Sequence, residues 1–400
     1  MVFTIEALQA AHGDALLLHY GPADDPMLAV IDAGPTRIYR GSVAPRLEEI
    51  RAHRAPDATL RLDFVLVSHI DDDHIHGVTD LTKELVQAAD APGDPRFAIT
   101  NLWHNAFNDV VGDDEVESIA TAAVTAALEP VAAEAAPAGT EPLDLLGRIE
   151  TLPHAMSLES ALVLASVGQG NQLRHDAERL NLNINDGKGL LLAPAEADMG
   201  HGLKATIVGP LKDQLEALQD EWDKSIKKKA DASAKEQAAA VAAYVDNSIP
   251  NLSSLVVLAE LDGKRILLTG DARGDYVLEG LNAAKLLDPT LHVDVLKMPH
   301  HGSSRDVEED FFRKVTADHY IVSANGKYGN PDPETLEMIR AARGGDRFTI
   351  HLTNHDGEGE LRTRLDAFHA DARAAGANFE LAFLGEPDPI RIELHDALGY

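Results

Sequence analysis

The 400-residue chain contains no cysteine, which removes disulfides, thiolate metal sites and cysteine nucleophiles from consideration. Any metal must be held by His, Asp or Glu. Basic residues are scarce: 35 Lys plus Arg face 66 Asp plus Glu, a formal net charge of −31. That balance repels long duplex nucleic acid unless a local basic surface or a bound metal offsets it, and it argues against an avid, non-specific DNA binder. No run approaches about 18 consecutive apolar residues, and the opening MVFTIEALQAAHGD lacks the basic region and apolar block of a secretory signal. The expectation is a cytoplasmic protein without membrane association. With 44% apolar and 25% charged residues, the chain can bury one large core or two modest ones.

MVFTIEAL, DALLLHYG and MLAVIDAG are short apolar runs closed by Gly or Pro, and they predict successive strands, partly paired as hairpins. Helical spacing follows around APRLEEIRAHR. LDFVLVSH then reads as a buried strand, VTDLTKELVQAAD as a helix and RFAITNLWH as a strand ending in His104. Residues 113–180 are Ala- and Glu-rich with helical patterns, as expected of an insertion covering one side of a sheet. VGQG at 167–170 lacks the full glycine fingerprint of a phosphate loop and sits inside helical periodicity. KGLLLAP, LKATIVGP, SSLVVLAEL and KRILLTGD are strands again, with the Asp-Gly of LDGK as a hairpin turn. Between them, 211–247 is a polar, Ala- and Lys-rich segment expected to be helical or mobile, and its SIKKKADASAK is the one concentrated basic block. From HVDVLKM onward strand and helix alternate, which implies layered sheet and helix in a single domain over 1–400.

The chemistry concentrates at strand ends. Residues 67–77 read VSHIDDDHIHG, with His69, Asp71, Asp73 and His74 in the order H-x-D-x-D-H. A loop leaving a strand can curl so that alternating side chains converge while the sheet supports it. Burying those carboxylates without counter-charge would cost several kcal/mol each, so a pair of divalent cations is the natural compensation. LLTGDA at 267–272 brings Asp271 to a second strand end, where its two oxygens can bridge two metals. LKMPHHGSS at 296–304 brings His300 and His301 to a third, and adjacent histidines can divide the work, one ligating and one facing substrate. His104, in NLWHNAF, is a further strand-end candidate for ligation or substrate contact.

These motifs, in this order, resemble the metallo-β-lactamase superfamily. They are most similar to the metallo-hydrolase domain of competence DNA-uptake proteins, in which H-x-D-x-D-H replaces H-x-H-x-D-H. HGDALLLHYG with AVIDAG, NLSSLVVLAELDGKRILLTGDA and VSANGKYGNPDPETL extend the likeness over segments from residue 12 to about 336. The resemblance implies an α+β fold, a four-layer αββα sandwich with helical insertions. It implies that His69 and Asp71 hold one metal, that Asp73 and His74 hold the second, and that Asp271 bridges them. His301 would complete the second site, and His300 would face the scissile group. This sequence departs from the pattern in three places. The third histidine expected near Gly209 and Pro210 is missing, which leaves the first site weak or completed by His104. Asn330 and Asp332 stand where histidines are often found, and His76 takes the position of a glycine.

The expected cofactors are two divalent ions, Zn2+ or Mn2+, with the oxygen-rich ligand set shifting preference toward manganese. Such ions, about 3.5 to 4 Å apart, lower the pKa of a shared water toward about 7 and so supply hydroxide. Asp73 would orient the water and His300 protonate the leaving group. The expected activity is a metal-dependent phosphodiesterase or nuclease, with single-stranded nucleic acid among its candidate substrates. One alternative is a hydrolase of a small ester, lactone or phosphoester, which the net charge of −31 disfavours less. Another is an interaction subunit without turnover, opposed by the intact Asp71, Asp73, His74, Asp271 and His301. A basic groove at Lys227, Lys228 and Lys229 facing the metals would favour nucleic acid. The sequence points to no particular protein partner.

Overall fold

Leu16, Leu17 and Leu18 are consecutive and all buried, so the strand they form is covered on both faces. The computed structural model, which describes residues 1–106, 109–110, 158–225, 253–385 and 388–400, shows how. Strands β1 (Val2–Ala7), β2 (Ala15–Gly21), β3 (Met27–Ala33), β4 (Leu60–Leu66), β5 (Phe97–Trp103), β6 (Asn183–Ile184) and β15 (Ile390–Glu393) form a seven-stranded mixed sheet in the order β15-β1-β2-β3-β4-β5-β6. A second, eight-stranded mixed sheet contains β7 (Ala195–Asp198), β8 (Lys204–Gly209), β9 (Val256–Leu261), β10 (Lys264–Leu268), β11 (Leu291–Lys297), β12 (Val315–Val322), β13 (Phe348–Leu352) and β14 (Phe379–Phe383). Its order is β14-β13-β12-β11-β10-β9-β8-β7.

The helices are α1 (Ala44–Arg54), α2 (Asp72–Ala89), α3 (Leu158–Arg179), α4 (Lys212–Ser225), α5 (Gly274–Ala283), α6 (Glu309–Lys314), α7 (Pro333–Arg343) and α8 (Leu361–Ala374). Alternate residues along a strand serve different cores. Leu18, Ile31 and Leu66 pack with Val257, Leu268, Val295 and Ile321 of the other sheet. Leu17, Val30 and Val65 pack with Leu47 and Ile50 of α1, Ile75 and Val78 of α2 and Leu173 of α3. On the second sheet Leu267, Leu296 and Tyr320 pack with Leu281 of α5, Phe311 of α6, Leu336 of α7 and Leu365 of α8.

Each sheet is antiparallel on one side and parallel on the other. β3, β4, β5 and β6 run parallel, as do β10 through β14, joined mostly by crossover helices. The carboxyl ends of β4, β10 and β11 lead into the three sequence motifs, the place where α/β sheets present their chemistry. The hairpin from β9 to β10 turns through Asp262 (φ 47°) and Gly263 (φ 80°), the left-handed pair that a two-residue hairpin requires. VGQG lies within α3, as helical periodicity implies.

One element begins earlier than its periodicity suggests. The helical reading starts at Val78, in VTDLTKELVQAAD, yet α2 starts at Asp72, so Asp73 and His74 belong to its first turn rather than to a loop. Asp71, Asp72 and Asp73 sit at the positive end of the helix dipole, which favours their charge. Residues 113–157 of the expected 113–180 insertion, and 226–247 of the 211–247 segment with Lys227, Lys228 and Lys229, lie outside the described residues. No helix among the described residues is long and apolar enough to cross a membrane.

Candidate metal centre

His69 and Asp71 leave β4, Asp73 and His74 open α2, Asp271 follows β10, and His301 follows β11. These side chains meet. His69 Nε2 lies 3.6 Å from Asp71 Oδ2 and 3.8 Å from Asp271 Oδ2. His74 Nε2 lies 3.3 Å from Asp271 Oδ1 and 3.8 Å from Asp73 Oδ1. His301 Nε2 lies 3.3 Å from Asp271 Oδ2 and 3.5 Å from Asp73 Oδ2. Asp71 occupies the helix N-cap position without a capping bond from its side chain, which leaves that carboxylate free for the centre.

The hydrogen bonds behind the rings fix which nitrogen carries a proton. Ser68 Oγ donates to Asp32 Oδ2 at 2.6 Å, so it accepts from His69 Nδ1 at 3.0 Å. His74 Nδ1 donates to Asp32 Oδ2 at 2.9 Å, and His301 Nδ1 donates to the Ser323 carbonyl at 2.8 Å. All three rings are therefore protonated on Nδ1, and in the neutral form each turns an Nε2 lone pair forward. His74 Nε2 and His301 Nε2 stand 3.2 Å apart, so two neutral rings would oppose their lone pairs. His69 Nε2, Asp71 Oδ1 and Asp271 Oδ1 are buried without hydrogen-bond partners among the described residues. A cluster of lone pairs with no donor is what a cation satisfies, and its imidazole and carboxylate composition suits a divalent transition metal.

The electrostatics agree. Burial disfavours the His74 imidazolium, but the Asp271, Asp32 and Asp73 carboxylates outweigh it and hold the ring well above the usual histidine range. Burial likewise opposes His301, and Asp271 and Asp14 overcome it in the same direction. Asp271, despite burial, is held well below the ordinary carboxylate range by His301 and His74. The centre thus attracts positive charge, as protons or as metal.

Asp14, His74, Asp271 and His301 each bring one ligand-type atom within 4.8 Å of the others. Asp14 nevertheless faces the protonated side of both rings, 3.7 Å from His74 Nδ1 and 3.5 Å from His301 Nδ1. It pairs with the Nζ of Lys297, which also donates to the Gly270 carbonyl at 2.9 Å and lies 3.6 Å from Asp271 Oδ1. Asp14 therefore backs the His74 and His301 rings, and Lys297 supplies a fixed cation beside Asp271. The sequence motifs alone did not single out Asp14, Asp32, Ser68 or Lys297. A lysine inside the apolar strand HVDVLKM was the available signal, because burying an ammonium requires carboxylates around it.

His300 and His301 both have left-handed backbones, with φ of 43° and 54°, followed by Gly302 at 86°. Such strain in non-glycine residues persists where the surroundings enforce it, commonly at functional sites. Both Nε2 atoms lie near Asp271, but the two rings differ in exposure. His300 Nε2 lies 3.7 Å from Asp271 Oδ2, while its Nδ1 bonds Asp306 Oδ2 at 2.6 Å. His301 is buried within the cluster, whereas the His300 side chain remains 29% exposed. Asn330 and Asp332 buttress this turn rather than enter the centre. Asn330 Nδ2 donates to the His300 carbonyl at 3.4 Å, and Asp332 Oδ2 accepts from Ser304 N and Oγ at 2.8 and 2.9 Å.

His104 ends β5 and is 5% exposed, with neither ring nitrogen hydrogen-bonded among the described residues. Burial, aided by the Arg174 guanidinium, pushes it down to about 4. No ion pair among the described residues joins it to the six clustered side chains, although it lies near enough to His69 for their charges to interact. His76 bonds Asp72 at 2.9 Å and Gln169 of α3 at 2.9 Å, outside the centre. His355 turns away toward Asp366 at 3.1 Å.

No family model matches the chain. Over 121 residues it is 31% identical to ComE operon protein 3 of Bacillus subtilis (strain 168), a stretch covering 30% of this chain and 14% of that protein. Over 74 residues it is 34% identical to microtubule-associated protein 1A of Rattus norvegicus and of Mus musculus, covering 18% of this chain and 3% of theirs. The chain thus matches only a small part of the length of these curated relatives. A crystal structure of a candidate metal-dependent hydrolase from Parabacteroides distasonis ATCC 8503 aligns with a TM-score of 0.32 at 10% identity, over 93% of this chain and 90% of the other.

Proposed function

We propose that the chain is a metal-dependent hydrolase of the metallo-β-lactamase type that cleaves phosphodiesters, folded as one αββα domain over 1–400 with insertions at 113–180 and 211–247. The observation that carries this reading is the gathering of three imidazole Nε2 atoms and the Asp71 and Asp73 carboxylates around Asp271. Charge argues for two ions. Asp14, Asp32, Asp71, Asp73 and Asp271 bring five negative charges, Lys297 neutralises one, and two divalent cations match the remainder. His69, Asp71 and His104 would hold the first ion, Asp73, His74 and His301 the second, with Asp271 shared. Zn2+ and Mn2+ both suit these donors.

Two such ions supply Lewis acidity and a hydroxide nucleophile near neutral pH. Asp73, held ionised by His74 and His301 despite burial, is suited to accept a hydrogen bond from the attacking water. His300 is suited to be the general acid. Burial opposes its charge, but Asp271 and Asp306 raise it above the ordinary histidine range. With Asp271 engaged by metal, the Asp306 contact is what keeps a proton on His300 Nε2 to give to the leaving oxygen. The acidic net charge keeps a small ester, lactone or phosphoester as the second reading. An interaction subunit without turnover is opposed by the unbroken ligand set.

The test is a pH–rate profile with bis-p-nitrophenyl phosphate on Zn2+- or Mn2+-loaded protein, with a lactone assayed in parallel. Turnover should fall as pH rises through the raised pKa of His300. Asp306→Asn should move that falling limb to lower pH, because the proton is held less tightly. The double variant Asp73→Ala, His74→Ala should be inactive. Turnover of the lactone alone rejects the phosphodiester, and turnover surviving in the double variant rejects the site.

A further inference from the structure

Tyr328 is, with Met1, one of two large hydrophobic residues left exposed among the described residues, and it is 60% exposed. An exposed ring of this size offers a flat apolar face with a polar tip, and here its backbone is rigidly held. The presentation is rigid. Lys327 and Tyr328 are the central residues of a tight turn closed by Gly329 N donating to the Gly326 carbonyl at 2.9 Å. Gly326 (φ 86°) has no room for a side chain, since a Cβ would lie 2.1 Å from the Glu358 carbonyl oxygen. Lys327 N donates to Asn325 Oδ1 at 3.1 Å, and Arg364 Nη1 donates to the Gly329 carbonyl at 2.5 Å.

This turn is tied to the metal centre at both ends. Upstream, Ser323 accepts from His301 through its carbonyl and donates from Oγ to the Gly13 carbonyl at 2.6 Å. Downstream, Asp332 N donates to the Gly302 carbonyl at 3.0 Å. His12 spans the interval. Its ring meets that of Tyr328 edge-on at 5.4 Å between centroids, and it lies close enough to Asp73 and His301 for their charges to act on it. The Lys327 ammonium stands over the Tyr328 ring, 5.1 Å from its centroid, and no ion pair joins it to a carboxylate among the described residues. In a chain of net charge −31, an aromatic face and an unneutralised cation share one turn beside a candidate metal centre.

We propose that Tyr328 and Lys327 form the substrate-recognition rim of that centre: the Tyr328 ring stacks the planar base of a nucleotidyl phosphodiester, and Lys327 contacts its phosphate. The rim rests on the phosphodiesterase reading and adds to it the chemical group next to the scissile bond. Stacking on an aromatic platform tolerates any base, so selectivity is for a base over none rather than for one base.

The test compares a thymidine dinucleotide with an abasic dinucleotide of the same backbone, using metal-loaded full-length protein. Wild type should prefer the thymidine dinucleotide in kcat/KM by about tenfold or more. Tyr328→Ala should lose that preference mainly through a raised KM, Tyr328→Trp should retain it, and Lys327→Met should weaken both substrates. Equal cleavage of the two substrates by wild type, or a preference unchanged in Tyr328→Ala, overturns the rim and leaves the phosphodiesterase reading standing. Cleavage of neither dinucleotide by wild type overturns both.

Discussion

Asparagine at position 271 is expected to leave the fold in place and strip the metal centre. The exchange keeps the side-chain shape but removes the charge facing four imidazoles: His74 and His301 at 3.3 Å each, His300 at 3.7 Å and His69 at 3.8 Å. Lys297 keeps Asp14 as partner, so no buried cation is left alone. Losing the ligand proposed to be shared by both ions should lower turnover by about a thousandfold or more, equivalent to about 4 kcal/mol in the barrier. Metal content should fall together with it. A second readout is stability against pH. In chelated wild type, His74 and His301 are raised by carboxylates despite burial. A raised pKa adds stability that is complete below the unfolded value and is lost as pH climbs through the folded one. Chelated wild type should therefore lose stability as pH rises above the ordinary histidine range, and Asp271→Asn should show a shallower loss. An Asp271→Asn protein that keeps its metal and turnover within tenfold of wild type would sink the bridging role.

Gly13→Ala should damage the same centre by a steric route. A Cβ at Gly13 would lie 1.9 Å from the backbone oxygen of Asp73 and 2.8 Å from its Cβ. Neither side can retreat, because Asp14 N donates to that oxygen at 3.1 Å and Ser323 Oγ holds the Gly13 carbonyl at 2.6 Å. The expected cost is about 3 kcal/mol or more, at the upper end for overpacked sites. Gly280→Ala is the matched control. Its Cβ would lie 1.7 Å from the Val208 carbonyl oxygen, where α5 crosses β8 in the helix-covered core. Urea midpoints should drop in both variants, whereas metal affinity, measured by titration of the folded fraction, should fall in Gly13→Ala alone. A folded Gly13→Ala protein with wild-type affinity would show that the loop before β2 does not set the position of Asp73.

Most elements were legible because their local signals are complete. APRLEEIRAHR and PETLEMIRAAR coincide with α1 and α7, each with proline at the helix start, and Gly344 (φ 57°) stops the latter. The strands beneath the site were legible as unbroken apolar runs, the mark of burial on both faces. The start of α2 was not, because acidic residues in a first turn carry no apolar periodicity and read like a polar loop. The six clustered side chains could be found from strand-end motifs. The residues that aim them could not: Asp14 precedes a different strand, Asp32 ends another, and their roles exist only once both sheets are in place. His300 illustrates the same limit, since its partner Asp306 has no signature beyond proximity in the chain.

Anomalous diffraction from crystals of the metal-loaded protein reads out the proposed two-ion centre itself. Two scatterers about 3.5 to 4 Å apart are expected, on either side of the Asp271 carboxylate. One should touch His69 and Asp71, the other Asp73, His74 and His301, with imidazole contacts of about 2.0 to 2.1 Å for zinc. Fully loaded crystals with no scatterer among these six side chains, or with the bound metal elsewhere on the chain, would contradict it.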